Sequence, residues 1–421
     1  MPNWLFEFIN PWTTPLALVA SIVLLAWICR IRGRSLALTA LTAAVGVALW
    51  QAWKAGPPNG LLDLQIYTNS ARAWLNGRSI YDYHDPTFHL SATYPPIGPL
   101  LFTALTPLTA DGREVFFTTI NLFALFGCAW CVTGLGRIES AKRLEWSAWL
   151  FAAATVTIPV WLTLRQGQIN ILLWLLVLAD LNAIRRSSRW TGIGIGLATA
   201  IKLLPGLFVV WLAATRRWSA TLRALAALVA ATALGWILAP SDSRSYWTDL
   251  VWHSDRVGSV SDARNNSVLG ALARSLHPSV FRTALWLFVI LVVLSIALLR
   301  SVRASRQNDL LAVAAIVGCA TAAVSPISWT HHLGFLLVAL FAFVLQARTS
   351  RAKLLCALAY LVLVDPGGHG DEPIQSTIRG LLVLGAICFT PIRNKLSVAP
   401  NESYQTETTP SSRVTNSALP S

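Results

Sequence analysis

VFRTALWLFVILVVLSIALLRSVRASR, residues 280–306, joins a long apolar run to three arginines at its far end. The apolar part, 280–300, is as long as the roughly 20 helical residues that span a bilayer. Short loops on the cytoplasmic side of a membrane carry an excess of Lys and Arg. The stretch therefore predicts a transmembrane helix whose C-terminal end faces the cytoplasm.

Comparable apolar runs recur along most of the chain. Of its 421 residues, 55% are hydrophobic and 12% are charged, which is about half the ~25% of charged residues in a soluble domain. We predict an all-α protein that crosses the membrane many times, without a removable signal peptide, since no cleavage site follows the first run. The predicted spans are 14–29, 36–53, 114–135, 146–163, 169–184, 219–239, 280–300, 309–325, 333–347, 353–365 and 374–391.

The formal net charge of +14 is carried largely by seven basic clusters between the apolar runs. Clusters that alternate with spans are typical of cytoplasmic turns, whereas a nucleic-acid groove would gather its charge on one surface. We therefore expect membrane lipids, and no nucleic acid, as partners. The clusters are Arg30/Arg32/Arg34, Arg137/Lys142/Arg143, Arg185/Arg186/Arg189, Arg216/Arg217, Arg300/Arg303/Arg306, Arg348/Arg351/Lys353 and Arg393/Lys395.

Placing every cluster inside requires an even number of crossings between neighbours, and two segments break that rule. The piece 96–110 is short and rich in proline, so we predict a re-entrant or interfacial element. The run from Arg189 to Arg216 is basic at both ends, so we predict a hairpin of two half-helices with Lys202 near its tip. The N-terminus is then external, residues 1–396 form the transmembrane domain and residues 397–421 form a disordered cytoplasmic tail.

An acidic residue lies in an apolar context in the first outer loop, in the sequence LLDLQIY at residues 61–67. A carboxylate at a membrane interface is costly unless it has a partner or a task. Asp63 is therefore either a capping or snorkelling acid or a general base that faces the outer leaflet. Tyr67 lies four residues later on the same helical face, where membrane packing alone would also explain it.

Lys202 is the only lysine deep in an apolar run, where an ammonium group costs at least about 2.5 kcal/mol. It either pairs with the phosphate of a polyprenyl lipid or extends its stem toward the interface. The outer turn RQGQIN, residues 165–170, offers Arg165, Gln168 and Asn170 as donors to phosphate or sugar hydroxyls. The alternative is that these side chains only satisfy the ends of two helices.

Two further outer segments carry polar groups. Arg264 and Asn265 either contact a phosphate or an acceptor sugar or belong to a loop helix capped by Ser267. His331 and His332 are either structural or able to donate to, or protonate, a leaving phosphate oxygen. Two histidines without a nearby carboxylate make a poor metal site, and no nucleotide-binding motif is present, so we expect no metal and no cofactor.

Seven segments between about residues 60 and 345, taken together and in their order, resemble glycosyltransferase family 87. This family comprises the polyprenyl-phosphate-mannose-dependent mannosyltransferases of actinobacterial envelopes. The segments are Asp63-Leu64-Gln65-Ile66-Tyr67, Gly77 to Tyr81, Tyr94-Pro95-Pro96, Gly167-Gln168-Ile169-Asn170, Ile201-Lys202-Leu203-Leu204-Pro205, Asn265 to Gly270 and Ser325 to His332. The resemblance implies a GT-C-type fold, with about 11 spans plus the half-helix pair, and places the catalytic base at Asp63. The family often has an acidic residue directly before the histidine pair, where this chain has Thr330. We therefore assign to Thr330 no function that would need an acidic side chain.

The resemblance also implies the reaction, at the outer face of the cell membrane. Polyprenyl-phosphate-mannose is the expected donor, and a mannosylated glycolipid or lipoglycan is the expected acceptor, with an α-1,2 linkage formed by inversion. Lys202, Arg264 and His331 or His332 would stabilise the leaving phosphate. One alternative is transfer of another sugar, such as arabinose. The other is transport of a lipid-linked glycan, which predicts two related halves of the chain and a polar site at the membrane midplane.

Overall fold

The computed structural model describes residues 33–54, 61–364 and 373–393. Every regular element within these residues is a helix, as the apolar runs predict. The predicted span 14–29 and the predicted tail 397–421 lie outside the described residues. The α-helices are α1 (Arg34–Lys54), α2 (Leu62–Leu75), α3 (Ile97–Leu101), α4 (Ala110–Leu135), α5 (Ser140–Thr155), α6 (Ile158–Gln166), α7 (Asn170–Arg185), α8 (Ile193–Ile201), α9 (Gly206–Ala214), α10 (Trp218–Leu238), α11 (Pro240–Thr248), α12 (Val268–Ser275), α13 (Val280–Arg306), α14 (Leu310–Val324), α15 (Gly334–Gln346), α16 (Ser350–Val364) and α17 (Pro373–Phe389).

Three of these helices, α4, α10 and α13, are long and apolar enough to cross a membrane by themselves. Shorter apolar helices lie at 34–47, 310–324, 334–346 and 373–389. The architecture is that of a helical membrane protein. The predicted count of about 11 crossings is not confirmed, because several helices are shorter than the roughly 20 residues of a straight span.

The predicted span 146–163 is not one straight helix. The chain forms α5 and α6 there, and the two meet at an angle of 72°. Pro159 lies at the start of α6, where its missing N–H is tolerated, whereas inside a continuous helix it would remove a hydrogen bond and clash with the preceding turn. The proline therefore begins a second helix.

The helices α8 and α9 form the predicted hairpin. Lys202 lies directly after α8 in an extended backbone conformation, with φ −149° and ψ 125°. Thr191, just before α8, accepts hydrogen bonds from Arg223 in α10, and α9 ends shortly before α10 begins. Both ends of the hairpin thus lie beside the start of α10, and Lys202 lies at the opposite tip.

The short helix α14 lies at the centre of the described bundle. It has 15 residues, and every one from Leu310 to Ala323 is buried. Its neighbours are α13, α15 and α17. The segment that follows α14 contains the histidine pair, so the pair directly follows a buried helix. The piece 96–110 is not an ordinary span, since its helical part is only α3 and a 3₁₀ turn, Phe102–Leu105.

Candidate active site

The carboxylate of Asp63 lies in the first turn of α2, against the turn between α6 and α7. Gly167 makes that turn possible because it adopts φ +69°, and a Cβ at this position would meet the Cβ atoms of Leu64 in α2 and of Leu61 just before α2. The close approach places Gln168 beside Asp63, and its Nε2 donates to Oδ2 of the carboxylate at 2.6 Å. The turn between α6 and α7 therefore supplies a hydrogen-bond donor to the predicted base, Asp63.

Gln168 connects Asp63 to two tyrosines. The hydroxyl of Tyr94 donates to Oε1 of Gln168 at 2.6 Å, and the ring of Tyr94 stacks on Tyr67 with 4.8 Å between the centroids. Tyr67 is thus part of the same cluster, as its position on α2 predicts. The sequence analysis did not single out Tyr94 as a site residue, although its motif, Tyr94-Pro95-Pro96, is one of the seven that resemble the family.

Lys202 lies at the centre of the polar cluster. Its Nζ donates to Oδ1 of Asn170 at 2.9 Å and to the hydroxyl of Tyr94 at 3.3 Å. A third hydrogen bond, of 3.0 Å, joins Nζ to Nε2 of His332. These three partners match the three N–H groups of an ammonium ion. The hairpin tip, the turn between α6 and α7 and the histidine segment therefore meet at one cation.

Burial lowers the pKa of both His331 and His332 well below 6.5, and the nearby charge of Lys202 lowers it further. Both imidazoles are therefore neutral near pH 7, and His332 accepts from Lys202 through Nε2, so its proton is on Nδ1. That Nδ1, and Nε2 of His331, are buried without a hydrogen-bond partner among the described residues. An unpaired buried polar atom costs about 1–3 kcal/mol, and two adjacent ones point to a ligand that pairs with them.

The charge of Asp63 is set by opposing effects. Removal from bulk water raises its pKa to about 6, while the hydrogen bond from Gln168 and the charge of Lys202 lower it. The carboxylate is thus ionised at neutral pH yet basic enough to accept a proton from a hydroxyl group. No three His, Cys, Asp or Glu side chains lie close enough to hold a metal ion in the part of the chain that the structure describes.

Three predicted site residues lie outside this network. Arg165 is exposed on the last turn of α6. Arg264 pairs with Asp262 at 2.9 Å and lies over the ring of Trp329, with its guanidinium carbon 5.5 Å from the ring centroid. Asn265 is fully buried. The structure therefore brings Asp63, Tyr67, Gln168, Asn170, Lys202 and the histidine pair together, and the contact of the other three with a donor stays a prediction.

Asn265 fixes the segment that leads to the histidines. Its Nδ2 donates to the carbonyl of Pro326 at 3.1 Å, and its Oδ1 accepts from the backbone N–H of Ser328 at 2.9 Å. Ser267 caps α12 as predicted, since its Oγ accepts from the N–H of Gly270. Asn265 is thus a side chain that joins the segment before α12 to the segment that leads to the histidines.

A second asparagine, which the sequence analysis did not assign to the site, supports the same segment. Nδ2 of Asn266 donates to the carbonyl of Ser328 and to Oγ1 of Thr330. Thr330, which replaces the acid frequent in the family, is therefore a hydrogen-bond partner inside the loop. The repeated amide in the sequence was the available signal, but a pair of asparagines has too many other uses to be assigned without its partners.

Known proteins of one kind match the chain. The sequence model of glycosyltransferase family 87 matches residues 92–326. A polyprenol-phosphate-mannose-dependent alpha-(1-2)-phosphatidylinositol mannoside mannosyltransferase of Mycobacterium tuberculosis is 33% identical over 79% of this chain and 82% of its own length. A polyprenol-phosphate-mannose-dependent alpha-(1-2)-phosphatidylinositol pentamannoside mannosyltransferase of Mycolicibacterium smegmatis is 31% identical over 70% of this chain and 72% of its own length. No solved structure matches the chain significantly.

Proposed function

The chain belongs to glycosyltransferase family 87, and from this premise we propose that it transfers mannose from polyprenol-phosphate-mannose to a phosphatidylinositol mannoside, forming an α-1,2 linkage. The names of its relatives supply the donor, the acceptor class and the linkage. The observation that carries the proposal is the network that joins Asp63 to Lys202 and His332. A base and a cation in one site are what the displacement of a phosphate by a hydroxyl group needs.

In the proposed reaction, Asp63 removes the proton from an acceptor hydroxyl while that oxygen attacks the anomeric carbon of the donor. The bond between the anomeric carbon and the phosphate oxygen breaks as the new glycosidic bond forms. Attack from the face opposite a β-linked phosphate inverts the carbon and gives an α-mannoside. Polyprenyl phosphate leaves with the electron pair, and the proton is on Asp63 until solvent accepts it.

The charge that develops on the leaving phosphate is stabilised by Lys202 and by the two histidines. The neutral state of both imidazoles favours hydrogen-bond donation from Nδ1 of His332 over transfer of a proton from an imidazolium ion. The unpaired imidazole nitrogens support a phosphate at this position. Arg264 is exposed and lies over Trp329, next to the histidine segment, where it would contact the acceptor or the donor.

We place this site on the outer face of the cell membrane, in a GT-C-type fold with about 11 crossings and the re-entrant pair α8 and α9. Two features support the location. The basic clusters at Arg185/Arg186/Arg189 and Arg216/Arg217 flank the base of the hairpin, whereas Lys202 lies at its tip. The positive-inside bias puts the clusters in the cytoplasm, which leaves the tip directed outward.

The test uses the purified protein in liposomes with radiolabelled polyprenol-phosphate-mannose and a phosphatidylinositol mannoside as acceptor. Asp63→Asn keeps the size of the side chain and removes its basicity, so we expect transfer to fall about 100- to 10,000-fold. Asp249→Asn, at an exposed carboxylate paired with His253, is the matched control and should keep the rate of the unmodified protein.

Full activity of Asp63→Asn would remove Asp63 from the mechanism. Transfer of a different sugar in a donor comparison, with no transfer of mannose, would replace the proposed donor by another lipid-linked sugar such as arabinose. Movement of the intact donor across the liposome membrane, with no product formed, would instead favour the transport alternative.

A further inference from the structure

Tyr94 contributes no charge, yet its hydroxyl contacts both the cation and the amide that hydrogen-bonds to the carboxylate of Asp63. It accepts from Lys202 and donates to Gln168, whose amide in turn donates to Asp63. We propose that Tyr94 is a positioning residue: its hydroxyl fixes the orientation of the Gln168 amide and, through it, the carboxylate of Asp63. The inference rests on the proposed role of Asp63 as the base.

The direction of the hydrogen bonds follows from the ammonium group. Lysine can only donate, so the hydroxyl oxygen of Tyr94 accepts from Lys202 and its hydrogen is directed to Oε1 of Gln168. The amide nitrogen of Gln168 then necessarily faces Asp63. All three bonds point from the cation toward the anion, and bonds in such a chain polarise one another in the same sense. The carboxylate is thereby held ionised and in one orientation.

The ring of Tyr94 is fixed independently of its hydroxyl. It stacks on Tyr67, and Nζ of Lys202 lies 4.8 Å from its centroid. Its backbone carbonyl accepts from the hydroxyl of Tyr81 at 2.9 Å, and Gly98 leaves no room for a Cβ beside the Cβ of Tyr94. Tyr94 is itself only 4% exposed. Removing the hydroxyl alone should therefore leave the ring in place.

Without that hydroxyl, Oε1 of Gln168 loses its donor and the amide can turn over. The turned amide would direct its oxygen at the carboxylate of Asp63, which would favour the protonated carboxyl group. The pKa of Asp63, already raised to about 6 by its removal from water, would then rise further. In this cluster the charge of Lys202 acts on Asp63, and the charges of Tyr94 and Asp63 act on Tyr67. Arg165 on α6 is exposed. Glu114 on α4 contacts Leu61 and Gln65, the residues two positions before and after Asp63.

The decisive experiment is the pH dependence of kcat/KM for Tyr94→Phe in the liposome assay. We expect the acidic limb of the profile to move upward by about one pH unit, the shift expected for loss of a hydrogen bond to the ionised form. At high pH the rate should recover toward that of the unmodified protein. Tyr360→Phe removes the hydroxyl of another buried tyrosine, which donates to the carbonyl of Ala153 away from the site; it is the matched control, for which the limb should not move.

Gln168→Met interrupts the same chain at its next link and should move the limb in the same direction. Tyr94→Phe combined with Gln168→Met should move it no further than Gln168→Met alone, since both act through one path. An unchanged limb in Tyr94→Phe, or in Gln168→Met if the tyrosine variant does not fold, overturns the inference. If Asp63→Asn is inactive while these limbs stay unchanged, only the positioning role fails; if Asp63→Asn is active, the proposed base fails as well.

Discussion

At the scale of single residues, Asp63 links the site to a measurable pH dependence. A general base acts only when it is deprotonated, and the pKa of Asp63 is raised to about 6. We therefore expect kcat/KM to fall about tenfold per pH unit well below pH 6. Initial rates of mannosyl transfer between about pH 5 and pH 8 measure this profile.

Burial and the charge of Lys202 lower the pKa of His331 and His332 well below 6.5, so we expect both imidazoles to be neutral in the upper part of that range. Size-exclusion chromatography at each pH separates a change in rate from a loss of folded protein. A flat profile between pH 5 and pH 7 would be inconsistent with Asp63 as the base.

Charged residues in apolar surroundings were the predictable part of the site. Asp63 and Lys202 stand out in the sequence because an isolated charge there is costly, and the structure places both in one network. Tyr94 does not stand out, because a tyrosine in an apolar run is usually a packing residue. Its role arises only when Lys202 and Gln168, distant in sequence, converge on its hydroxyl.

At the scale of elements, the hairpin of α8 and α9 depends on close packing against α10. A Cβ at Gly196 would overlap the backbone carbonyl of Ala224, and one at Gly192, which has φ +100°, would overlap that of Ala220. Backbone atoms cannot move aside as side-chain ends can. These two glycines therefore set the distance at which α8 lies along α10, and with it the position of Lys202 at the tip.

Gly196→Val should push α8 away from α10, lower the free energy of unfolding by about 1–3 kcal/mol and reduce transfer by displacing Lys202. Thermal unfolding in detergent and the liposome assay measure the two effects. Gly385→Val in α17 is the matched control, because a Cβ there meets nothing within 4 Å. Equal unfolding temperatures for the two variants would show that the hairpin does not rest on this contact.

Basic clusters and apolar runs predicted most helix boundaries to within a few residues, because both signals follow directly from the cost of burying charge. The hairpin was predictable for the same reason, since a single crossing would have left one cluster on the wrong side. The break between α5 and α6 was missed. Pro159 was visible, but whether a proline kinks a helix or begins a new one depends on what packs around it.

At the scale of the whole molecule, Arg393 joins the end of the described chain to two central helices. It donates to both carboxylate oxygens of Asp309, at 2.6 and 3.2 Å. It also donates to the carbonyls of Leu135 and Gly136 at the C-terminal end of α4. The side chain of Asp309, which caps α14, is only 2% exposed. This ion pair connects α4 and α14 at the N-terminal end of α14, which is the end opposite the histidines.

Arg393→Met should leave a buried carboxylate without its counter-charge and two carbonyl groups without a donor, which costs about 3–5 kcal/mol. We expect a clearly lower unfolding temperature, with the rate per folded molecule unchanged at temperatures below the transition. Arg351→Met, at an exposed position of another basic cluster, is the control. A loss of rate without a loss of stability would mean that the ion pair acts on the site rather than on the bundle.

Assembly at this scale was the least predictable. The sequence separated outer from inner segments, since polar residues without a basic cluster fall between spans, and this grouping brought Asp63, the outer turn and the histidines together. It could not show that Asn265 connects two outer segments or that Arg393 reaches Asp309. Both depend on pairings across the bundle that leave no periodic trace in the chain.

The shortness of α14 and α15 has a consequence for how substrates arrive. At 15 and 13 residues they rise about 22 and 20 Å, against a hydrocarbon thickness of about 30 Å. In the proposed membrane orientation, we expect the loop they carry, with its two imidazoles, to lie several ångströms below the level of the lipid headgroups. A molecule anchored by an isoprenoid or acyl tail can therefore bring its phosphate to that depth by sideways diffusion, without first being extracted into water.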